Sequence, residues 1–497
     1  MRKFFRYQEW SAIFFPLLLF IGGCITLIGV SCRKFVEVSA PINQLAASSV
    51  FNNNSTATSA LTNIYQSMYN NQESYFMEFQ TGILGDELTN YSQATSDIQQ
   101  YTNSMLATGT YGPWTNAYNY IYQANAILQG LKDNKGIDHV VNQQLTGESK
   151  FIRAFWMFYL LNCYGDVPLV TSTDYWVNSS LHREKMMNVY RQIIDDLVDA
   201  QELLSSDFVG ADNITSTDER VRPTKWAAIA LLARSYLFTE KYDSAETAAT
   251  AVINNNGMFG LCTDFDSVFL ANSREAIWQL PSPLSNGNNA GSNTWEGYWF
   301  ILMGQPSTAT LSPQMMAAFE EGDNRKVKWV GSYTMSDPPF NTYYFPLKYK
   351  IQIDNDPSNT EEYTMMLRLA ELYLIRAEAR ARQSNILGAV ADLNVLRSRA
   401  RAPISATIPN PLPDIPSTIT QADVLLAILH ERQVELFTEW GHRWFDLIRS
   451  QTINSVMGAP GDVCQVKGGI WKPDWQFFPI PQDEITRNPN LTQNSGY

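Results

Sequence analysis

The sequence predicts a mainly α-helical fold: a solenoid of tetratricopeptide-like helical hairpins carrying a large irregular, loop-rich region with a few short strands. Three observations predict it. Apolar residues recur every three or four positions over long stretches, the period of a helix with one buried face. Two segments, 223–253 and 366–400, each read as two helices joined by a short turn and run to about thirty-four residues, the length of a tetratricopeptide unit. Between them, residues 255–362 hold Gly, Asn, Pro, Ser and aromatics in short clusters without helical period.

In chain order, residues 57–72 place Leu61, Ile64, Tyr65 and Met68 on one face. Residues 80–113, rich in Gly, Asn, Thr, Ser and Tyr, read as exposed loops. A helix follows at 114–133, with Trp114, Tyr118, Ile121 and Tyr122 along one side. Residues 147–171 continue as helix to about Cys163 and stop at Gly165 and Pro168, and 187–204 give the next helix. Helical pairs are thus expected near 57–133, 147–204, 223–253 and 366–400. In the third pair Ala230, Ala233, Ala245 and Ala249 let two helices approach closely. Residues 420–449 return to helix, and 451–497 form an irregular tail. The whole of 56–497 reads as one domain.

The start of the chain is different. Arg2, Lys3 and Arg6 precede an uncharged run, Ser11–Val30, and then Ser31-Cys32. A basic start, an apolar stretch and small residues before a cut site describe a signal peptide, here 1–31. About twenty apolar residues could also span a bilayer, although Pro16, Gly22 and Gly23 weaken such a helix. A cysteine directly after the run points to lipoprotein processing, in which several acyl chains on one residue anchor firmly. Cys32, at the end of the run, is the preferred lipidation site. Cys24, after Ile21-Gly22-Gly23, is the alternative. Residues 32–55 then form a lipidated tether.

Composition narrows the function. Only 17% of residues are charged and the net charge is −13, with no basic run, which argues against nucleic acid as a partner. The five cysteines make no CxxC, so zinc ribbons and thiol redox motifs are unsupported. A Cys262–Cys464 bridge is compatible with the count, and Cys163 reads as a small buried hydrophobe. There is no phosphate loop, no GxGxxG and no GxSxG elbow. His430-Glu431-Arg432-Gln433-Val434 lacks the second histidine of a zinc protease, and four histidines leave few metal ligands. Asp354–Asn359 alternates oxygen ligands but lacks the calcium-loop glycine and glutamate, so it reads as a solvated loop. Asp86-Glu87 could be an acid pair for glycoside hydrolysis, but a turn or helix cap explains it better. Neither a metal nor a cofactor is expected, and no catalytic residue is assigned.

Aromatics are abundant, at 12%. Most belong to the core of a chain this long. One cluster, Trp295, Tyr298, Trp299 and Phe300, follows the amide-rich stretch 285–293 in the irregular region. Flat rings stack on the apolar faces of sugars while amides bond their hydroxyls. Trp295, Tyr298 and Trp299 are therefore the candidate ligand contacts, with Tyr91 and Tyr101 in the other long loop as weaker ones.

Several segments carry a family resemblance. They are Cys32–Val38, Phe151–Ala154 through Tyr164–Leu169, Leu367–Glu371 with Arg376–Ala379, and Glu431–Phe437. Gly441–Leu447 and the closing Pro479–Pro481 with Asn488–Leu491 complete the set. Together and in order, these segments resemble the SusD/RagB family of nutrient-binding outer-membrane lipoproteins. The resemblance implies four tetratricopeptide-like hairpins, an irregular substrate-binding half and no enzyme activity. It implies capture of oligosaccharide or polysaccharide for a TonB-dependent, SusC-like outer-membrane barrel, with peptide capture as the alternative and glycoside hydrolysis as a third reading. It places the protein on the outer membrane, lipid-anchored and facing the cell exterior. Family members often put acidic residues soon after the lipidated cysteine; Arg33 and Lys34 depart from that pattern.

Overall fold

A computed structural model of the chain describes residues 50–283, 293–353, 360–459 and 462–497. The apolar leader, Cys24 and Cys32, most of the amide-rich stretch before Trp295, and the Asp354–Asn359 loop lie outside the described residues.

The scaffold is a run of helices that each pack on their neighbours. Trp114–Leu131 lies on His139–Tyr164, which lies on Met186–Leu203; Lys225–Phe238 and Tyr242–Ile253 follow. Tyr242–Ile253 then packs against Leu369–Arg382, which contacts both Ile386–Ala400 and Gln421–Leu436. The series passes from Ile253 to Leu369 without a break in the packing, so the irregular segment leaves the solenoid and returns to it. The small residues perform as their spacing predicts: Ala230, Ala233, Ala245 and Ala249 are all buried at the helix contacts.

Two boundaries differ from the sequence reading. The second hairpin begins at His139, two turns before Gly147, because the polar face of those turns is covered: Gln144 is buried and donates to Glu148 at 2.8 Å. Residues 80–113 are not simply loops. A helix, Glu73–Leu84, runs into them, followed by strand β1 (Leu88–Asn90) and helix Thr95–Tyr101. Tertiary packing overrides the local propensity here. A Cβ on Gly82 would meet the Leu88 side chain at 2.7 Å, so glycine permits that approach. The region 57–133 accordingly holds four helices, the first being Asn54–Asn70.

The irregular segment holds β2 (Ala276–Leu280), helix Trp295–Phe300, β3 (Ala309–Leu311), two short helices (Pro313–Ala318 and Asn324–Trp329), β4 (Val330–Thr334), β5 (Thr342–Pro346) and β6 (Thr364–Arg368). Its strands pair antiparallel as β1–β3, β2–β6 and β4–β5. The β2–β6 pair closes the segment's stem, with Ala276 opposite Arg368. A separate apolar core, built from Tyr75, Phe79, Leu88, Phe300, Leu311, Trp329 and Phe437 among others, lies beneath it.

A buried charge network joins this core to the solenoid. Glu435, on helix Gln421–Leu436, accepts from Arg368 at 2.7 Å, Arg325 at 2.9 Å and Arg399. Arg368 also donates to Glu275 at 2.9 Å and Glu439 at 2.6 Å. Arg325 reaches Asp323 at 2.7 Å and Glu431 at 2.6 Å. A second set links Arg432 and Arg449 to Asp446, and Arg449 to Glu378. His442 is buried, and that burial, with several guanidiniums nearby, holds it far below its ordinary range, hence neutral. Buried ions persist only when paired and hydrogen-bonded, so His442 and Asp446 are packing residues.

The Asp86-Glu87 pair is structural too. Asp86 accepts from Arg443 at 2.7 and 2.9 Å, and buried Glu87 accepts the Thr438 backbone N–H at 3.3 Å. Cys262 and Cys464, whose bridging the sequence left open, are free thiols: Cys262 lies 3.4 Å from the Ser273 hydroxyl, and Cys464 is buried in the C-terminal segment. Cys163 is fully buried, as expected.

Burial pushes several carboxyl groups up, among them Glu87 to about 8, Glu73 to about 7 and Glu362 to about 7. The unfolded chain releases these protons near pH 4.3. Between pH 5 and 6.5 these carboxyls bind more protons in the folded chain than in the unfolded one, which outweighs the single opposing contribution of neutral His442, and stability falls as pH rises through that window. The melting temperature is expected to drop by several degrees from pH 5 to pH 6.5. A flat or rising profile in a pH-scanned thermal melt would contradict this.

Candidate functional site

Three distant parts of the chain converge on one face. The turn between helices Asn54–Asn70 and Glu73–Leu84 supplies Gln72, held in the left-handed region at φ 57°. Its side-chain carbonyl accepts the Trp299 indole N–H at 2.8 Å, and the Tyr69 backbone carbonyl accepts that of Trp295 at 2.8 Å. Thr294 caps the short helix that carries both indoles, accepting from Gly297 N–H at 3.1 Å. A Cβ on Gly297 would lie 2.3 Å from the Ile351 carbonyl, so this helix sits hard against the chain beneath it. Trp299 stacks on Tyr75, with centroids 5.8 Å apart and planes 22° apart. Trp295 and Trp299 are thus half-buried supports with their polar edges already bonded. Tyr298 stands between them, edge-on to both at 5.9 and 4.9 Å.

The second part arrives through β1–β3. Thr308 accepts from the backbone N–H of Tyr91 at 2.7 Å, and its hydroxyl donates to the Trp299 carbonyl at 3.2 Å. Tyr91 therefore sits one residue from the Trp299 backbone. The third part is the β4–β5 hairpin: Tyr343 meets Tyr91 edge-to-face at 5.7 Å. Tyr101 is half-buried against the core, with the Lys467 ammonium 5.1 Å from its ring, and its hydroxyl bonds Thr89 on β1, near Tyr91.

Of the predicted residues, Trp295 and Trp299 flank Tyr298, Tyr91 is joined to Trp299 through Thr308, and Tyr101 reaches β1 near Tyr91. Tyr343, Gln72 and Thr308 join the face without having been picked out in the sequence. They depend on pairings between residues hundreds of positions apart.

Chemically the face offers flat apolar rings edged by amides and hydroxyls, an arrangement that orients a ring-shaped polyol by stacking and hydrogen bonding. Two acids, Glu78 and Glu296, are buried behind it. Burial raises both above the ordinary carboxyl range, and the neighbouring Glu296 adds to the rise at Glu78. Among the described residues no group of three or more His, Cys, Asp or Glu could hold a metal ion.

Comparison with known proteins follows the same outline. Residues 275–497 match the model of the SusD family, and residues 34–237 match a model described as starch-binding associating with outer membrane. The chain belongs to the SusD family. It is 27% identical to a SusD-like protein of Formosa agariphila over 97% of this chain and 99% of that one. It is 23% identical to the starch-binding protein SusD of Bacteroides thetaiotaomicron, over 74% of this chain and 75% of that one. Among solved structures, a laminarin-binding SusD-like protein superposes with a TM-score of 0.70 at 22% identity, covering 90% of this chain and all of that one. The SusD fold is thus shared across the solenoid and the irregular segment. No helix among the described residues is long and apolar enough to cross a membrane.

Proposed function

We propose that this SusD-family chain binds oligosaccharide or polysaccharide at the outer surface of the outer membrane and delivers it to a TonB-dependent, SusC-like barrel, without catalysing a reaction on it. The observation that carries the reading is the convergence of Tyr91, Tyr298, Trp299 and Tyr343 around Thr308. Relatives named for starch and laminarin binding support it. Among the described residues of the face no nucleophile is bonded to a base, and the one acid pair singled out in the sequence is locked by Arg443.

Affinity electrophoresis in gels containing starch or laminarin tests the reading. Tyr91→Ala combined with Tyr298→Ala is expected to weaken retardation about tenfold, the loss of roughly 1.4 kcal/mol of stacking. Trp299→Ala is a poor probe because that ring also supports the core. Retention of full affinity by the double variant, or no retardation of the wild type by any glycan in a broad panel, would sink the proposal.

The anchor is assigned to Cys32, with Cys24 the alternative, on the small residues ahead of each and the end of the apolar run. Labelled palmitate is expected to be incorporated by the wild type and by Cys24→Ser, and lost in Cys32→Ser. Loss in Cys24→Ser instead would reassign the site.

A further inference from the structure

Helix Glu73–Leu84 has a second face. Tyr75 and Phe79 point into the core behind the rings, whereas Glu73, Phe76 and Gln80 line a cleft of about 580 Å³. Its other walls are the 108–116 segment and residues 481–484 with Arg487, near the C-terminus. The volume lies within the range of small-ligand sites, and none of the ring candidates singled out in the sequence borders it.

The polar groups in the cleft are already aimed. Glu73 is 6% exposed. Its Oε1 accepts from Asn116 at 2.7 Å and Tyr120 at 2.8 Å, while its other oxygen has no hydrogen bond among the described residues. Gln80 Oε1 accepts the Gly112 N–H at 2.8 Å, which fixes the amide and turns its NH₂ toward other partners. Phe76, 43% exposed, supplies an apolar wall. It touches Tyr75 at 5.5 Å, and Tyr75 stacks on Trp299, so the cleft begins one ring away from the candidate face.

Charge narrows the occupant. Among the described residues the cleft is lined by Asp483, Glu484 and the partly ionised Glu73 against one cation, Arg487, and Glu484 already binds that guanidinium at 2.9 Å. A carboxylate or sulfate entering would meet acidic groups with no free counter-charge. Uncharged hydroxyls would find both donors and acceptors.

We propose that this cleft is a further saccharide subsite, continuous with the ring face across Phe76, that takes the next residues of an uncharged glycan and rejects uronate- or sulfate-bearing ones. It rests on the glycan reading above.

Isothermal titration of the full mature chain with short and long oligosaccharides from laminarin and from starch tests it, together with long ones oxidised to carboxylate at C6. Phe76→Ala and Gln80→Ala are expected to weaken long oligosaccharides about fivefold, the equivalent of roughly 1 kcal/mol, and to leave short ones unchanged. The oxidised series is expected to bind more weakly than the neutral one, and Asp483→Asn to narrow that gap. Equal effects on short and long ligands, no effect on either, or equal binding of oxidised and neutral series would overturn the subsite while leaving the ring face intact. If no oligosaccharide binds the wild type, the glycan reading itself fails and the subsite with it. Should Phe76→Ala fold poorly by circular dichroism, Gln80→Ala, on the half-exposed face, still decides.

Discussion

Glu435→Leu is expected to destabilise the fold by about 4 kcal/mol, because it leaves buried guanidiniums without the carboxylate that joins them. Arg325, Arg368 and Arg399 all converge on Glu435, and each is nearly inaccessible to water. Coulomb repulsion among them is then opposed by the remaining acids Asp323, Glu431, Glu275 and Glu439. Such a loss is a large share of the 5–15 kcal/mol typical of a folded chain, so much of the variant should be found insoluble. Glu435→Gln keeps the shape and should fall between the two. The surrounding guanidiniums hold the Glu435 carboxyl well below its ordinary range. Its contribution is therefore fully present above about pH 4.3 and is lost only as pH falls through the lower folded value. Denaturant melts of the three proteins check the ranking; a leucine variant as stable as wild type would refute the role assigned to the network.

Lys467→Met is expected to cost about 3 kcal/mol and to weaken glycan binding as well. The ammonium donates to the Ile83, Leu84 and Gly85 carbonyls at 2.8, 2.8 and 2.9 Å, closing the C-terminal end of helix Glu73–Leu84. Those carbonyls have no helical partners of their own; the Leu84 carbonyl keeps a donor in Asn103 at 3.4 Å, and each buried acceptor left bare costs about 1–3 kcal/mol. Methionine fills the volume but accepts none of this duty. The effect should spread to the ring face, because β1 and Tyr91 follow directly from the capped end. A thermal melt paired with laminarin and starch affinity gels measures both parts. Unchanged stability would show that water replaces the ammonium.

The solenoid was legible because its period is strong and its contacts are local. Residues 225–253 and 369–400 declare themselves by alanines at the crossing points and a polar turn between apolar stripes. The helix through Gly82 was not legible. Its glycine reads as a breaker until Leu88 is seen occupying the space a side chain would need. At the candidate site, a run of aromatics flagged Tyr298 and Trp299, yet nothing local reveals that the Trp299 indole is bound by Gln72, 227 residues away. The same holds for Thr308, which draws Tyr91 beside Trp299 through a backbone bond between segments distant in the chain. The charge network was visible only as a surplus of Arg and Glu on helix faces, with no indication of which acid meets which base.

The stem of the irregular segment has an evolutionary consequence. Glu275 precedes β2, Arg368 ends β6, and the two are bonded at 2.9 Å beneath the paired strands. Everything between them hangs from a base whose width is set by the solenoid rather than by the hanging part. Insertions, deletions and exchange of the exposed turns can then proceed without retuning the helices, provided that the base, Arg325 among its acids and the β1–β3 pairing are kept. A lineage can thus vary what the turns present while the clasp and these ties stay fixed.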